Sequence, residues 1–215
     1  MTPDDISSAY ERHVSAVDAE FRRVYRKFAD RMQCGRGCSM CCSQMFSISS
    51  IEAGYITKAI KAMPAAQQDS LRASARQYVV DARKLIGKDE DPNEEDAITP
   101  RPGLRLPCPA LVGDACSIYE ARPIICRKWG IPIFNPAKPE ELQACELNFK
   151  PGEEVDVEGL LEPQVALLEE WVELKALAGR SEGPPQTRST VAEAVLGDFD
   201  EDPRPQSHTR EIDVK

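Results

Sequence analysis

Eight cysteines in two groups constrain this chain more than any other feature of its sequence. The first group is Cys34-x3-Cys38-x2-Cys41-Cys42, and the second is Cys108-x7-Cys116-x9-Cys126-x18-Cys145. A thiolate is a soft, anionic ligand that suits zinc, copper(I) and iron–sulfur clusters. Four thiolates close one tetrahedral zinc site or hold one cubane cluster. Eight thiolates therefore supply either two such sites, or one site and some spare thiols.

Disulfide bonds are the main alternative to metal ligation for so many cysteines. The first ten residues lack the basic start and apolar stretch of a secretory signal. No apolar run approaches the roughly 18 residues that a membrane helix needs. We therefore expect a cytoplasmic protein, in which a reducing environment disfavours structural disulfides. Unrelated buried thiols are a further alternative, and the clustering of the cysteines favours metal ligation over both.

The charge balance limits the partners that this chain binds. Its 36 acidic residues outnumber its 27 basic ones, so the net charge of −9 argues against a nucleic-acid partner. The expected partners are a metal ion or cluster and a protein redox partner, with neither nucleic acid nor membrane. The two histidines, His13 and His208, lie in the first predicted helix and in the tail, so we do not expect them to be ligands.

Apolar residues that recur at steps of three and four predict a mainly α fold, a small helical domain with an irregular, loop-rich cysteine region. Ser49 and Glu52 form a capping-box pattern that predicts one helix start. Prolines between Cys108 and Cys145 argue against long regular elements there. The predicted helices span residues 3–33, 51–63, 64–86 and 163–178, with a short helix near 140–147 and one helical turn at 117–121.

Composition along the chain predicts the domain organisation. Residues 1–179 are expected to form one metal-binding domain with a core at 34–145, flanked by the first and last predicted helices. Residues 88–99 read as an exposed acidic loop. Residues 180–215 are polar and rich in proline, which predicts a disordered acidic tail. Within that tail, residues 191–196 are expected to form a helical turn or to bind a partner.

The spacing Cys34-x3-Cys38-x2-Cys41 matches the motif with which radical S-adenosylmethionine enzymes hold a cubane cluster. In that family the motif follows the first strand of an α/β barrel. Here it follows a predicted amphipathic helix, and no alternation of strands and helices comes after it. Met40 also stands where that family usually has an aromatic residue. We therefore set this interpretation aside.

The two cysteine groups together resemble the CxxCxxCC cysteine-cluster family, the YkgJ-like zinc- or iron-chelating domains. The family's leading cluster falls on Cys34, Cys38, Cys41 and Cys42, with three residues instead of two after Cys34. Its second block, C-x-IY-x-x-RP-x-x-CR, falls on Cys116, Ile118, Tyr119, Arg122, Pro123, Cys126 and Arg127, after the pair Cys108-Pro109 and before Cys145. The resemblance covers about half of the chain and implies that the eight cysteines are metal ligands.

Basic residues surround the second cysteine group, although the protein as a whole is acidic. Arginine side chains near ligating sulfurs neutralise their charge and tune their properties. We therefore predict that Arg122 and Arg127 neutralise the charge of the thiolates and donate hydrogen bonds to the sulfurs. Ordinary salt bridges to the acidic loop are the alternative.

Three functions follow from these observations. The first is an iron–sulfur protein, with a 4Fe-4S cluster as the candidate, that has an electron-transfer or redox role. The second is a structural or storage zinc protein without catalytic activity. The third is a metal-dependent transferase or oxidoreductase. The sequence contains no Ser/His/Asp set, no phosphate-binding glycine loop and no HExxH motif, so we assign no catalytic residue.

Overall fold

A computed structural model describes residues 2–35, 37–86, 103–134, 142–143, 145–150, 153, 155–156, 159–180, 189–197 and 199. Within these residues the fold is mainly helical, which confirms the predicted class. The helices are α1 Pro3–Lys27, α2 Ser50–Lys61, α3 Ala65–Ile86, α4 Ile124–Lys128, α5 Leu161–Arg180 and α6 Val191–Leu196. The strands are β1 Leu111–Val112, β2 Ala115–Cys116, β3 Ile133–Phe134 and β4 Leu142–Gln143, and single 3-10 turns lie at Met40–Ser43 and Tyr119–Ala121.

Local capping signals determine where three of the helices begin. In a capping box the N-cap side chain accepts from the third helical N–H, and the third side chain accepts from the N-cap N–H. The predicted pair Ser49 and Glu52 forms such a box and starts α2. The same arrangement starts α1 and α6, with the pairs Thr2 with Asp5 and Thr190 with Glu193.

The chain divides into two compact units that are interleaved in sequence. Unit 1 comprises Met1–Cys41, Gly113–Ala115 and Arg122–Ser181. Unit 2 comprises Cys42–Val112, Cys116–Ala121 and Glu182–Lys215. The division passes between the adjacent cysteines Cys41 and Cys42. It also assigns part of the predicted tail to unit 2.

In unit 1, α1 packs against α5 and α4, and α5 also packs against β3. The apolar core consists of Val24, Phe28, Met32, Ile131, Phe149 and Leu160. Strands β3 and β4 pair antiparallel, with Ile133 opposite Gln143 and Phe134 opposite Leu142. The predicted helix at 140–147 is therefore wrong for the part that the structure describes, because Leu142 and Gln143 are extended and paired, and a turn follows Cys145. Helix α4 follows Pro123 and was not predicted.

In unit 2, α6 packs against both α2 and α3. Its Val191, Ala192, Ala194 and Val195 are buried in the core that these helices share. The Thr57 hydroxyl on α2 donates to the Ala194 carbonyl at 3.0 Å. The helix has the bounds predicted for residues 191–196, and the expectation of a disordered tail is wrong for residues 189–197, because an apolar face and a capping box hold them in the core.

Two expectations fall on parts of the chain that the structure does not describe. The predicted acidic loop at 88–99 lies there, as do residues 181–188, 198 and 200–215 of the predicted tail. Among the described helices, none combines the length and the apolar character that crossing a bilayer requires.

Candidate metal centre

All eight cysteines lie in the described part of the chain, and each is a thiol that forms no disulfide bond. Cys145 is buried, and the other seven are half-buried. Unit 1 contains five of them, which we call the unit-1 thiols: Cys34, Cys38, Cys41, Cys126 and Cys145. Unit 2 contains the remaining three, the unit-2 thiols: Cys42, Cys108 and Cys116. The two groups that are separate in sequence are therefore mixed in each unit.

Two turns position the unit-1 thiols Cys34, Cys38 and Cys145. After α1, the Cys38 N–H donates to the Gly35 carbonyl at 3.1 Å, which folds the chain back between Cys34 and Cys38. After β4, the N–H groups of Asn148 and Phe149 both donate to the Cys145 carbonyl at 2.9 Å. Cys126 is carried separately on α4 and Cys41 on the 3-10 turn.

Asn148 links these two turns through its side chain. Its Nδ2 donates to Cys34 Sγ at 3.2 Å and to the Gly130 carbonyl at 2.6 Å, while its Oδ1 accepts from the Gln33 N–H at 2.8 Å. Only 6% of the Asn148 surface is exposed. Gly130 has a φ of +110°, and a Cβ added there would lie 2.5 Å from Cys34 Sγ. The sulfur thus occupies space that any other residue at position 130 would fill.

Burial raises the pKa of the Cys34 thiol. The hydrogen bond from Asn148 opposes this shift, and negative charge on Cys38 and Cys145 adds to it. Cys34, Cys38 and Cys145 are thus close enough for the charge on one to affect the ionisation of another, and we call such a set of thiols an electrostatic neighbourhood. A metal cation there would replace the thiol protons and reverse the penalty, as thiolate ligation generally does.

Backbone pairing positions the unit-2 thiols Cys42 and Cys108. Gln44 and Arg105 form an antiparallel bridge, and the Leu106 N–H donates to the Ser43 carbonyl at 2.8 Å. The next bond along this ladder joins the Cys108 N–H to the Cys42 carbonyl at 2.7 Å. Cys42 therefore lies beside Cys108 through main-chain bonds alone.

Cys116 approaches Cys108 through the short hairpin of β1 and β2. The Ser117 N–H and hydroxyl both donate to the Ala110 carbonyl, at 2.8 and 2.9 Å. Burial raises the pKa of Cys108 to about 12, with a hydrogen bond at Ala110 lowering it and the charges of Cys116 and Cys42 raising it further. The three unit-2 thiols thus form a second electrostatic neighbourhood.

The two predicted supporting arginines contact a carboxylate on α1. Arg127 Nη1 donates to Asp18 Oδ2 at 2.6 Å, and its Nε donates to the Arg122 carbonyl at 3.0 Å. Arg122 Nη2 lies 3.4 Å from Asp18 Oδ1. The side chain of Arg127 is only 2% exposed, so the pair with Asp18 holds α4, and with it Cys126, against α1. Support of the sulfurs by these arginines stays a prediction.

Three residues with clear structural roles near the cysteines were not predicted from the sequence: Asp18, Gly130 and Asn148. Each acts across a long sequence separation, so no local pattern identifies it. The available signals were a glycine four residues after Cys126 and an asparagine three residues after Cys145.

The cysteine thiols are donors that suit a soft metal, although their side chains do not surround a common centre. Among the described residues, no three Cys, His, Asp or Glu side chains are arranged to hold one metal ion. The donors in each neighbourhood are nevertheless thiols, which as thiolates suit zinc, iron–sulfur clusters and copper(I). The His13 side chain makes other contacts in unit 1. It stacks on Trp171 with ring centroids 5.4 Å apart, and its Nδ1 lies 3.0 Å from Glu170 Oε2. Metal binding would therefore require the thiol side chains to turn toward a common centre.

Comparison with known proteins identifies a family but no single relative. No curated protein and no solved structure matches the chain. One family profile, described as "Putative zinc- or iron-chelating domain", matches residues 33–146, a range that includes all eight cysteines and more than half of the chain. This chain belongs to the CxxCxxCC family of zinc- or iron-chelating domains.

Proposed function

We propose that all eight cysteines serve as metal ligands and that unit 1 holds an iron–sulfur cluster with an electron-transfer or redox role. One observation carries this proposal: each compact unit contains thiols from both cysteine groups of the sequence. In unit 1 the side chain of Asn148, three residues after Cys145, donates to Cys34 Sγ, and in unit 2 the Cys108 N–H donates to the Cys42 carbonyl at 2.7 Å. Ligation of a shared metal is the chemistry that brings several half-buried thiols together in this way.

The number of thiols decides where we place the cluster. Unit 1 has five thiols, enough for the four ligands of a cubane, whereas unit 2 has three. A cluster in unit 1 would accept and release single electrons. The protein's own contribution would be to bind the sulfurs, to donate the Asn148 hydrogen bond to Cys34, and to hold Cys126 through the contact between Asp18 and Arg127.

The half-buried state of seven cysteines supports a role in electron exchange with another protein. A cluster sealed deep in a core would exchange electrons slowly, whereas partly exposed sulfurs allow a redox partner to approach. A cytoplasmic location agrees with this proposal, because a reducing compartment keeps the thiols available for metal.

Zinc is the second candidate, and the short elements around the cysteines favour it. The cysteines at positions 108–126 lie in or beside β1, β2, a 3-10 turn and the five-residue helix α4, with no long element among them. Such segments gain order when a structural metal closes them, as small zinc domains do. In this case the metal would organise the chain and carry out no redox chemistry.

Anaerobic purification followed by metal and sulfide analysis separates the two candidates. The iron–sulfur proposal expects brown protein with a broad visible absorption, and iron and acid-labile sulfide in nearly equal amounts. Colourless protein with stoichiometric zinc would overturn the cluster in favour of structural zinc. Protein that takes up neither iron nor zinc, even after anaerobic reconstitution of its reduced thiols, would overturn metal ligation altogether. The variant Ser15→Ala, at an exposed α1 hydroxyl that donates to the Glu11 carbonyl, is a suitable control.

A further inference from the structure

The side-chain amide of Asn148 has only one orientation that fits its surroundings. The Gln33 N–H requires an acceptor, so it faces Oδ1, and the Gly130 carbonyl requires a donor, so it faces Nδ2. The second hydrogen of Nδ2 then points to Cys34 Sγ, 3.2 Å away. The amide is thus held by two main-chain groups in the one orientation that aims an N–H at a sulfur.

The backbone at Gly130 also lies against the sulfur. The absence of a side chain there leaves space for Cys34 Sγ, and the φ of +110° is one that L side chains rarely adopt. The glycine thus allows the backbone turn between α4 and β3 and also leaves the space that the thiol occupies. The amide and the glycine together form a pocket for a single sulfur atom, which we call the Cys34 pocket.

We propose that the Cys34 pocket makes Cys34 a metal ligand of unit 1, with Asn148 as the positioning residue that holds its sulfur in place. The proposal rests on the proposed function, and it assigns a ligand and a positioning residue to that centre. An N–H donor stabilises the negative charge that remains on a metal-bound sulfur and fixes the direction of its lone pairs.

A purely structural role for Asn148 would affect stability and metal affinity differently from a role that acts through the Cys34 sulfur. If the side chain only ties Gln33 and Gly130 together, its loss should lower stability with and without metal by the same amount. If it acts through the sulfur, its effect on metal affinity should depend on the presence of Cys34. A double-mutant cycle measures this dependence directly.

The experiment uses the full chain, freed of metal and titrated with Co²⁺ or Zn²⁺ against a competing chelator. Asn148→Asp keeps the acceptor for Gln33 but loses the donor and places a carboxylate against the sulfur. We expect it to weaken metal binding about 10–100-fold, the usual cost of losing a partner of a ligand. We expect Cys34→Ala to weaken binding and to reduce the sulfur-to-cobalt charge-transfer absorption. In the Cys34→Ala background, Asn148→Asp should change the affinity less than about twofold.

The outcomes separate this inference from the function on which it rests. Equal effects of Asn148→Asp in both backgrounds, or unchanged affinity in the first, would overturn the positioning role while leaving metal binding intact. Failure of the wild-type chain to bind Co²⁺, Zn²⁺ or iron would instead overturn the proposed function. If Asn148→Asp does not fold, the wild-type protein loaded with an NMR-active cadmium isotope decides the matter. A scalar coupling between cadmium and the Asn148 side-chain amide proton supports the pocket, and its absence in a resolved spectrum contradicts it.

Discussion

Ile48 and Ser189 exchange both of their backbone hydrogen bonds, with N–O distances of 2.7 and 3.0 Å. This bridge joins the segment before α2 to the segment before α6. Directly after it, Thr190 caps α6, and the buried residues of that helix enter the core of unit 2. Residues 189–197 and 199 are therefore a structural part of unit 2, although their sequence surroundings are polar.

Truncation of the chain before Ser189 should destabilise unit 2 strongly. Val191, Val195 and Phe199 would leave the core, and each buried side chain of this size contributes about 1.5–3 kcal/mol. The loss of several kcal/mol is a large part of the stability of a small unit. Thermal unfolding followed by circular dichroism should show a melting temperature at least about 10 °C lower. Truncation after Phe199 is the matched control, and equal melting of the two shortened chains would contradict the role of α6.

Local sequence signals made the helices predictable, whereas the packing of those helices against distant parts of the chain was not predictable. The pair Ser49 and Glu52 gave the start of α2 to within one or two residues, because a capping box is contained in four residues. The apolar run at 191–196 gave α6. Its burial was not predictable, since the partners of a helix with six residues lie on distant helices.

The cysteine region was predictable in its chemistry and not in its geometry. The spacing alone indicated thiolate ligation, and the family match confirms metal chelation as the family's description. Cys34 and Asn148 are 114 residues apart, and Asp18 and Arg127 are 109 residues apart. Contacts of this kind depend on how the units fold, so no pattern within a short window reveals them.

Removal of the Asp18 carboxylate should destabilise unit 1. Asp18→Ala removes the 2.6 Å partner of the buried Arg127 guanidinium, which keeps its bond to the Arg122 carbonyl, and the loss of such a partner costs about 1–3 kcal/mol. Glu11→Ala on the same helix removes an exposed carboxylate and should change the free energy of unfolding by less than about 0.5 kcal/mol. Urea denaturation measures both variants. Similar values for the two would show that the buried pair contributes little.

Ionisation of Tyr78 should limit the stability of unit 2 in alkali. Burial, together with the charges of Cys108 and Glu193, raises the pKa of Tyr78 to about 12 from the ordinary value of 10.0. A phenol whose pKa is higher in the folded state favours folding below pH 10, and this contribution is lost as the pH rises toward 12. The loss is at most about 2 kcal/mol, since one pKa unit is worth ~1.4 kcal/mol and solvent screens part of the shift. Thermal melts should show a smaller decrease between pH 10 and 12 for Tyr78→Phe than for the wild type, whereas parallel curves would contradict this origin.

Cys41 and Cys42 should differ when each is replaced by serine. Neighbouring side chains point in different directions, so two adjacent cysteines rarely reach adjacent corners of one small site without strain. Cys41 belongs to unit 1 with Cys38, and Cys42 belongs to unit 2 beside Cys108. Cys41→Ser should therefore alter the visible spectrum of the unit-1 centre, and Cys42→Ser should preserve that spectrum and reduce the metal bound by unit 2. Metal analysis and absorption spectra of both variants test this, and identical metal loss with identical spectra would contradict separate roles.

Metal removal should loosen the cysteine-bearing segment at 103–134 more than the long helices. That segment contains only two-residue strands, a 3-10 turn and the short helix α4, so metal ligation would supply much of its ordering free energy. Helices α1 and α3 have 25 and 22 residues and buried apolar faces, so they should persist without metal. After chelation, trypsin should cleave after Arg105 and Lys128 several times faster, while helical circular dichroism falls only slightly. Restoring the metal should restore protection, and unchanged cleavage after confirmed metal loss would show that the segment folds without it.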